Sequence, residues 1–385
     1  MDERYWWIAL NCVPDVGSIT THSLLEAFGS PRRIFRASKE ALQAVDGVGP
    51  KLARRIATFP VEEVLEREVA ALEEAGITLC TLHAEDYPEP LKTLYDPPPV
   101  LYVRGTLMAS DSLAIAVVGT RRPTAYGRSV TERIAGELAA LGFTVVSGLA
   151  RGIDGLAHEA ALSAGGRTLA VCGHGIDLVY PAEHRPLAEA IAERGALLSE
   201  FPLGTRPVPH NFPRRNRLIA GLALGTVVVE AASDSGSLIT ARCAMEQGRE
   251  VFAIPGPVTT GTSQGAHRLI QQGATLAEGV DDIIEALPLH IRAMLEGRLG
   301  GEDGRSPQPQ PRAAPTPSAP RVSAEEGALL ALIQNEPRSI DRIIEESGVA
   351  PSAVSGLLVQ LELKGLVARG PDSRYTAGPS VGGLA

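Results

Sequence analysis

The chain has few cysteines: its 385 residues include four, Cys12, Cys80, Cys172 and Cys243, and no two of them form a CxxC motif. Closely spaced cysteines are typical of zinc sites and redox motifs, and a dense set of them is typical of small secreted domains. Histidine, aspartate and glutamate form no cluster with metal-ligand spacing either. The sequence therefore predicts no disulfide, no metal and no other cofactor, and its thiols suit a reducing cytoplasm.

Excess basic charge is also lacking. Lys and Arg number 36 against 45 Asp and Glu, which gives a net charge of -9. This excludes a protein coated with basic surface, but it leaves room for a local basic groove. No uncharged apolar run reaches the ~18 residues of a membrane helix, and Met1–Trp7 lacks the features of a signal peptide. We therefore expect a cytoplasmic protein that does not bind membranes.

Residues 1–75 have the pattern of short helices and form the first predicted domain, a small helical domain of the helix-hairpin-helix or SAM-like kind. Val45–Pro50, with the sequence VDGVGP, is typical of such a hairpin. Hairpins of this kind can donate backbone N–H groups to a DNA phosphate. We favour a simple turn between packed helices, because only Lys51, Arg54 and Arg55 supply positive charge nearby.

Residues 76–290 form the second predicted domain, in which short apolar runs alternate with helical patterns. Two bridging strands, 77–82 and 100–105, come first and are expected to extend the sheet. Further strands are predicted at Leu113–Val118, Thr144–Val146, Thr168–Val171, Ala196–Leu198, Thr226–Val229, Val251–Ile254 and Thr275–Ala277. This alternation predicts an α/β fold with a mostly parallel, doubly wound sheet, whose ligands bind at the carboxyl ends of the strands.

The C-terminal part begins with a proline-rich stretch, residues 299–322, which is predicted to be an extended linker. Residues 323–378 then have the pattern of a winged helix: a helix capped by Ser323, helices at Ile340–Glu346 and Pro351–Leu363, and a hairpin over 366–376. Residues 323–376 contain five Lys/Arg and eight Asp/Glu, a net charge of -3. Because a DNA-reading helix needs basic residues, we expect a structural or partner-docking module.

A glycine loop connects the predicted strand Thr144–Val146 to a helix that Asp154 would cap. Its residues Ser147, Gly148 and Gly152 are small. A strand, a glycine loop and a helix N-terminus are together typical of a phosphate site, since free N–H groups and the helix dipole favour an anion there. A tight turn without a ligand explains this stretch alone equally well.

Two further segments follow strands and should meet the glycine loop at the same edge of the sheet. After the first parallel strand, Gly119 is followed by Arg121 and Arg122, and a guanidinium there suits a phosphate. The alternative is an ion pair of these arginines with an acid at the sheet edge, Glu200 or Glu230. A second candidate phosphate site precedes a predicted helix at Ser235, Gly236 and Ser237.

The stretch 205–217 is predicted to be a loop that holds single strands. It contains four arginines and no acid: Arg206, Arg214, Arg215 and Arg217. Phe212 lies amid this charge, where its ring can stack on an unpaired base, and Asn216 can bond a base edge or fix the loop. In the alternative, Phe212 is a core anchor and the arginines form a solvated face.

Two enzyme classes fit the sequence poorly. The first parallel strand ends in GTRRP and not in GxGxxG, and no acid for a ribose follows the second. Ser147, Asp154 and His158 lie close together, but without the GxSxG elbow of a hydrolase. His158 is therefore expected to be a packed or loop-bracing residue. Without a nucleophile–base pair, the residues imply no reaction.

Together these motifs resemble those of the DNA-processing protein A family, also called DprA or Smf. The matching stretches follow one another in family order across residues 80–285: VVGTR at 117–121, VSGLARGID at 146–154, YP at 180–181, SE at 199–200, FPRRNR at 212–217 and SGSLIT at 235–240. So many ordered matches make the resemblance specific. The N-terminal helices and the winged helix resemble accessory domains of that family.

The resemblance implies an extended Rossmann-like fold and a homodimer formed through it. It also implies a non-catalytic protein that binds single-stranded DNA without sequence preference and loads the RecA recombinase onto it during natural transformation. Arg121, Phe212 and Asn216 match DNA-binding positions of the family, and Arg206 stands in place of an upstream lysine. The expected DNA-binding residues are Gly119, Arg121, Ser147, Gly148, Gly152, Arg206, Phe212, Arg215, Asn216, Arg217, Ser235, Gly236 and Ser237.

An enzyme of the same fold family is the alternative function. Its nucleotide-binding and phosphoribohydrolase members carry a Pro-Gly-Gly-x-Gly-Thr pattern before a catalytic acid. This chain has Glu230 before Ser-Gly-Ser instead, which weakens the enzyme hypothesis.

Overall fold

A computed structural model describes residues 3–300 and, further along the chain, 329, 332–333, 338–347, 354, 357–358, 361, 367–369 and 374–377. The chain divides into two compact units, Met1–Asp303 and Gly304–Ala385. Over the residues that the structure describes, no helix has both the length and the apolar character needed to cross a membrane. The predicted linker lies outside the described residues, apart from residues 299 and 300, which end a helix.

The first 75 residues are helical, as predicted. The helices are α1 Glu3–Cys12, α2 Ser18–Phe28, α3 Pro31–Arg36, α4 Lys39–Gln43, α5 Pro50–Ala57 and α6 Val61–Ala75. In the turn between α4 and α5, Gly47 has φ +80°, a left-handed conformation that glycine adopts without strain. Ile8 and Leu24 belong to the same apolar core as the sheet that follows. A domain boundary near residue 75 therefore stays a prediction.

In the described part of the first unit, nine strands form one sheet: β1 Thr78–Thr81, β2 Val100–Gly105, β3 Ala114–Val118, β4 Thr144–Ser147, β5 Thr168–Val171, β6 Ala196–Ser199, β7 Gly225–Val228, β8 Glu250–Ala253 and β9 Thr275–Leu276. Their order is β1-β2-β6-β5-β4-β3-β7-β8-β9. The strands from β6 to β9 in this order are parallel, whereas β1 and β2 extend the β6 edge in antiparallel fashion. The predicted fold class and the bridging strands are confirmed.

Helices cover both faces of the sheet: α7 Glu89–Lys92, α8 Ala125–Ala140, α9 Ile153–Ser163, α10 Arg185–Arg194, α11 Asn211–Leu222, α12 Ser237–Glu246, α13 Gln264–Gln271, α14 Val280–Ala286 and α15 Leu289–Gly300. Side chains of β3 point alternately to the two faces. Ile115 and Val117 therefore join a core with α8, α9 and α14, whereas Ala116 and Val118 join the core of α10 to α13. Burial on both faces explains why the strands are continuous apolar runs.

Every predicted strand end lies within one residue of the observed end, but two predictions nearby are wrong. Residues 211–217 are not a loop, because α11 begins at Asn211. Pro213 lies in the first turn of α11, where its missing N–H leaves no hydrogen bond unmade. Asp154 is not a helix cap, since α9 begins one residue earlier, after Gly152.

The centre of the sheet is a topological switch point. From β3 the chain adds β4, β5 and β6 on one side, and it then returns to place β7 on the other side of β3. The connections from β3 and β7 consequently diverge to opposite faces and leave a crevice at the carboxyl ends of these strands. Doubly wound sheets bind their ligands in such a crevice.

The second unit contains helix α16 Ile340–Ser347 and strands β10 Arg338–Ser339, β11 Val367–Arg369 and β12 Arg374–Ala377. The strands pair antiparallel in the order β10-β12-β11, which confirms the predicted hairpin. A small apolar core includes Leu329, Ile343, Val354 and Leu358. Ser323 and most of the predicted third helix lie outside the described residues.

Candidate functional site

A cleft of about 560 Å³ lies at the switch point. Segments that follow β3, β4 and β7 line it, together with one side of α11: Gly119, Thr120, Arg121, Ala150, Asp154, Phe212, Arg215, Asn216, Ile219 and Asp234–Ser237. The sequence predicted that these segments converge at one edge of the sheet, and the cleft confirms their convergence.

Phe212 and Arg121 form the most exposed pair of aromatic ring and cation in the cleft. Phe212 lies in the first turn of α11 and is half-buried, and Arg121 is exposed. The guanidinium carbon of Arg121 lies 5.8 Å from the centre of the Phe212 ring, within the range of a cation–π contact. Gly173 supports the ring, because a Cβ there would come within 2.9 Å of its Cδ1 atom. The pair therefore offers a positive charge and a supported ring side by side.

Arg215 is a buried brace and not the exposed charge that the sequence predicts. It is 4% exposed. Its Nη1 donates to the carbonyl oxygens of Gly148, at 2.9 Å, and Val171, and its Nε donates to Asn216 Oδ1 at 3.2 Å. Burial lowers the pKa of Arg215, and the nearby carboxylate of Asp154 opposes this shift. The guanidinium thus joins α11 to the loop after β4.

Three hydrogen-bonding groups at the two ends of the glycine loop have partners within the protein. Ser147 Oγ donates to the carbonyl oxygen of Val117 at 2.7 Å, the N–H of Gly148 donates to Asp154 Oδ2 at 3.1 Å, and the N–H of Ile153 donates to Thr120 at 3.1 Å. Burial raises the pKa of Asp154, against the effect of Arg215 and of backbone N–H donors. The N–H groups of Gly148 and Ile153 are therefore not part of the free cradle for an anion that the sequence predicted.

The two loop glycines are required by the protein's own packing. A Cβ on Gly148 would lie 2.6 Å from Arg215 Nη2 and 2.7 Å from Asp154 Oδ2. Gly152 has φ +80°, and a Cβ on it would collide with the backbone of Thr120 and Arg121. These close approaches are sufficient to explain why both residues are glycine, and their contact with DNA stays a prediction.

Arg214 and Arg217 have an acidic partner that the sequence did not reveal. Glu200, at the end of β6, is 3% exposed. Its Oε2 lies 2.6 Å from Arg217 Nη2 and 3.3 Å from Arg214 Nη2, and Asp96 Oδ2 lies 3.2 Å from Arg217 Nε. Burial raises the pKa of Glu200, and the two arginines oppose the shift. Arg217 is therefore an internal ion-pair partner and not a free charge in the cleft.

The alternative ion pairs predicted for the arginines after β3 are not those that the structure contains. Glu230 instead accepts from the N–H of Thr124 at 2.9 Å and from its hydroxyl at 2.6 Å. Thr124 caps α8 by accepting from the N–H of Gly127. Glu230 thus fixes the start of α8, and Arg121 and Arg122 both remain exposed.

Asn216 and the serine segment form the opposite side of the cleft. Asn216 is 8% exposed, and its Nδ2 donates to the carbonyl oxygen of Gly236 at 3.4 Å. The hydroxyls of Ser235 and Ser237 lie 2.8 Å apart at the start of α12. Arg206 is exposed beside Pro207, which lines the cleft. Asn216 therefore joins α11 to the loop before α12.

His158 is packed, as predicted. It is fully buried, and its Nδ1 lies 2.6 Å from Thr168 Oγ1. Because that hydroxyl donates to Val145, Nδ1 must donate to it. Burial lowers the pKa of His158 to about 3, which leaves a neutral ring. Among the residues that the structure describes, no group of His, Cys, Asp and Glu is arranged to hold a metal ion.

Tyr180 lies in the cleft, although it is not among the residues that the sequence predicted to bind DNA. It belongs to the YP motif at residues 180–181. It lines the cleft and remains 40% exposed. The sequence could have indicated this role, because Tyr180 is an aromatic residue in the segment after β5, at the same edge of the sheet as the other predicted residues.

Three family patterns match the chain. DNA recombination-mediator protein A matches residues 78–288, the DprA winged helix domain matches 312–373, and a helix-hairpin-helix motif matches 7–67. The last match confirms the predicted helix-hairpin-helix element. The expectation that its turn only connects packed helices stays a prediction.

Individual relatives agree with these matches. Protein Smf of Escherichia coli (strain K12) is 41% identical over 326 residues, which are 84% of each chain. Protein Smf of Synechocystis sp. is 34% identical and covers 97% of this chain and 98% of its own length. The crystal structure of DNA processing protein A from Streptococcus pneumoniae superimposes with a TM-score of 0.65 and 33% identity, over 74% of this chain and 99% of that one. The chain therefore belongs to the DNA recombination-mediator protein A family.

Proposed function

We propose that the cleft binds single-stranded DNA without sequence preference, and that the protein loads RecA onto the bound strand during natural transformation. The observation that carries the proposal is the exposed guanidinium of Arg121 beside the supported ring of Phe212. Single-strand-binding proteins combine a positive charge for the phosphates with an aromatic ring on which any base can stack. Membership of a recombination-mediator family supports the role in recombination.

The expected residues divide into two groups in this proposal. Those that meet the strand are Gly119, Arg121, Arg206, Phe212, Ser235, Gly236 and Ser237. Those that hold the cleft in shape are Ser147, Gly148, Gly152, Arg215, Asn216 and Arg217, because their polar groups or close contacts are directed into the protein.

Fluorescence anisotropy with a labelled single strand, the matching duplex and AMP tests the DNA part. We expect the single strand to bind best, because only unpaired bases can stack on Phe212. Phe212→Leu should weaken binding by about 1–3 kcal/mol, and Arg121→Ala should also weaken it. Arg268→Ala is the matched control, since Arg268 is exposed on α13 and does not line the cleft. Tight binding of AMP without binding of the strand would instead favour the nucleotide-binding or phosphoribohydrolase enzyme.

Recombinase loading needs a separate measurement. RecA assembly on a single strand already covered by a competing single-strand-binding protein can be followed by ATP hydrolysis. We expect the chain to accelerate assembly and Phe212→Leu to abolish the acceleration. Acceleration that persists in a variant unable to bind DNA would contradict loading through the cleft.

We also propose a cytoplasmic homodimer formed through the Rossmann-like sheet. Light scattering of the full chain and of residues 1–303 tests this assembly. Both should have the mass of two chains, and a monomeric 1–303 fragment would contradict the proposed location of the interface.

A further inference from the structure

Tyr180 has no evident role in the core. Tyr180 is 40% exposed. It lines the main cleft and also a smaller cavity of about 20 Å³, which Arg121, His174 and Phe212 line with it. An exposed aromatic ring inside a concave site indicates a ligand that covers the ring when it binds.

The ring of Tyr180 is held next to that of Phe212. The two ring centres are 5.9 Å apart, and the ring planes are inclined by 36°. Tyr180 also contacts His174, whose ring centre lies 6.3 Å away and whose plane is inclined by 80°. His174 is 2% exposed, and its Nδ1 is 2.9 Å from the carbonyl oxygen of Gly175. Two neighbouring rings therefore hold the Tyr180 ring in place before any ligand arrives.

We propose that Tyr180 is a second stacking residue, so that two neighbouring unpaired bases lie on the exposed surfaces of Tyr180 and Phe212. This inference rests on the proposed function of the cleft. A separation of 5.9 Å is that of two rings in direct contact, which leaves no room for a base between them. Each ring keeps exposed surface in the cleft, since Tyr180 is 40% exposed and Phe212 is half-buried, and each ring accepts one base there.

The arrangement of the two rings favours binding of a single strand over binding of a duplex. Successive bases of a duplex strand are spaced by about 3.4 Å along the axis and are nearly parallel. Two rings that are 5.9 Å apart and inclined by 36° match neither property. Neighbouring bases can occupy both rings only after they separate from each other, and an unpaired strand does so most easily. Arg121, which lines the smaller cavity and is exposed, provides positive charge for the intervening phosphate.

Three variants of the full chain test the inference with a labelled oligothymidylate. Tyr180→Leu removes the aromatic ring at similar bulk and should weaken binding by about 5- to 150-fold, the range that corresponds to the loss of one stacked base. Tyr180→Phe keeps the ring and should bind like the original protein. Tyr95→Leu is the control, because Tyr95 is 90% exposed and lines neither cavity.

An abasic strand of the same length separates stacking from mere support of the cleft. It keeps the phosphates but has no bases, so Tyr180→Leu and the original protein should bind it equally. An equal loss on both strands would overturn the inference, because it would mean that Tyr180 only shapes the protein. So would unchanged binding of oligothymidylate.

The two proposals fail in different ways. If the original protein does not bind oligothymidylate, the proposed function itself is wrong. If Phe212→Leu shows a loss that depends on the bases and Tyr180→Leu does not, the second stacking site alone is wrong. The double variant should be weaker than either single variant. A double variant no weaker than Phe212→Leu would mean that both rings hold one base, against the two-base arrangement.

Discussion

Residues of the cleft have one of two roles: some are exposed to a ligand, and others are buried and support the cleft. Residue type alone does not distinguish the two roles. Arg121 and Arg215 are both arginines in family motifs, yet Arg121 is exposed and Arg215 is 4% exposed with carbonyl partners. Gly148 and Gly152 likewise have the pattern of a phosphate loop. Their missing side chains in fact make room for Arg215, Asp154 and the backbone after β3. Residue type thus predicts where the site is, and burial decides what each residue does there.

Gly152→Ala should strongly destabilise the first unit. The backbone of Gly152, with φ +80° and ψ -127°, lies outside the regions that alanine adopts easily and costs an alanine about 1–3 kcal/mol on its own, and the collision with the backbone of Thr120 and Arg121 adds to it. Gly165→Ala is the matched control, because Gly165 has φ +78° at the other end of α9, and a Cβ added there would meet no atom within 4 Å. We expect Gly152→Ala to exceed the control by about 1–3 kcal/mol, the usual cost of overpacking.

Urea unfolding followed by tryptophan fluorescence measures both free energies of unfolding. The two tryptophans of the chain, Trp6 and Trp7, lie in α1 and so report on the first unit. Equal losses in the two variants would show that backbone conformation, and not close approach, is what requires glycine at 152.

At the scale of elements, the strands were predictable and α11 was not. A strand buried on both faces is an apolar run bounded by turns, and this signal is local. Residues 211–217 combine proline, asparagine and charge, which favours a loop when considered alone. The partners that stabilise α11 come from distant segments: Glu200 at the end of β6, Asp96 before β2 and Gly148 after β4. No local pattern contains that information.

Glu200→Gln should destabilise the first unit by about 3–5 kcal/mol, because it leaves Arg214 and Arg217 without the buried carboxylate that pairs with both. The backbone of Glu200 also accepts from Asn11 at 3.0 Å, and this bond would remain. The loss should therefore report on α11. Glu183→Gln is the control, since Glu183 pairs with Arg151 at an exposed site where solvent screens the charges.

Tryptophan-detected urea unfolding again gives the comparison. The midpoint of Glu183→Gln should match that of the original protein. A midpoint for Glu200→Gln that also matches would show that the ion pairs do not hold α11 against the sheet.

At the scale of the whole molecule, the proposed function requires an acidic chain with a net charge of -9 to bind a polyanion through few free cations. The sequence suggested four arginines for the phosphates: Arg121, Arg206, Arg215 and Arg217. In the structure, Arg215 and Arg217 are instead paired within the protein, Arg215 with a carbonyl oxygen and Arg217 with Glu200. Stacking on aromatic rings should therefore supply more of the affinity, and charge less, than the sequence alone predicts.

The dependence of binding on salt measures this balance. Each neutralised phosphate of a single strand contributes about 0.7 to the slope of log affinity against log salt. Two arginines, Arg121 and Arg206, then give a slope of about 1.4, and the slope rises to about 2.1 if Arg122, next to Arg121 in the chain, also neutralises a phosphate. Arg121→Ala should lower the slope by about 0.7, whereas Phe212→Leu should lower the affinity and leave the slope unchanged. A slope above about 3 would mean that Arg214, Arg215 and Arg217 exchange their protein partners for phosphates. The ion pairs around Glu200 would then open when DNA binds, and α11 would have to move with them.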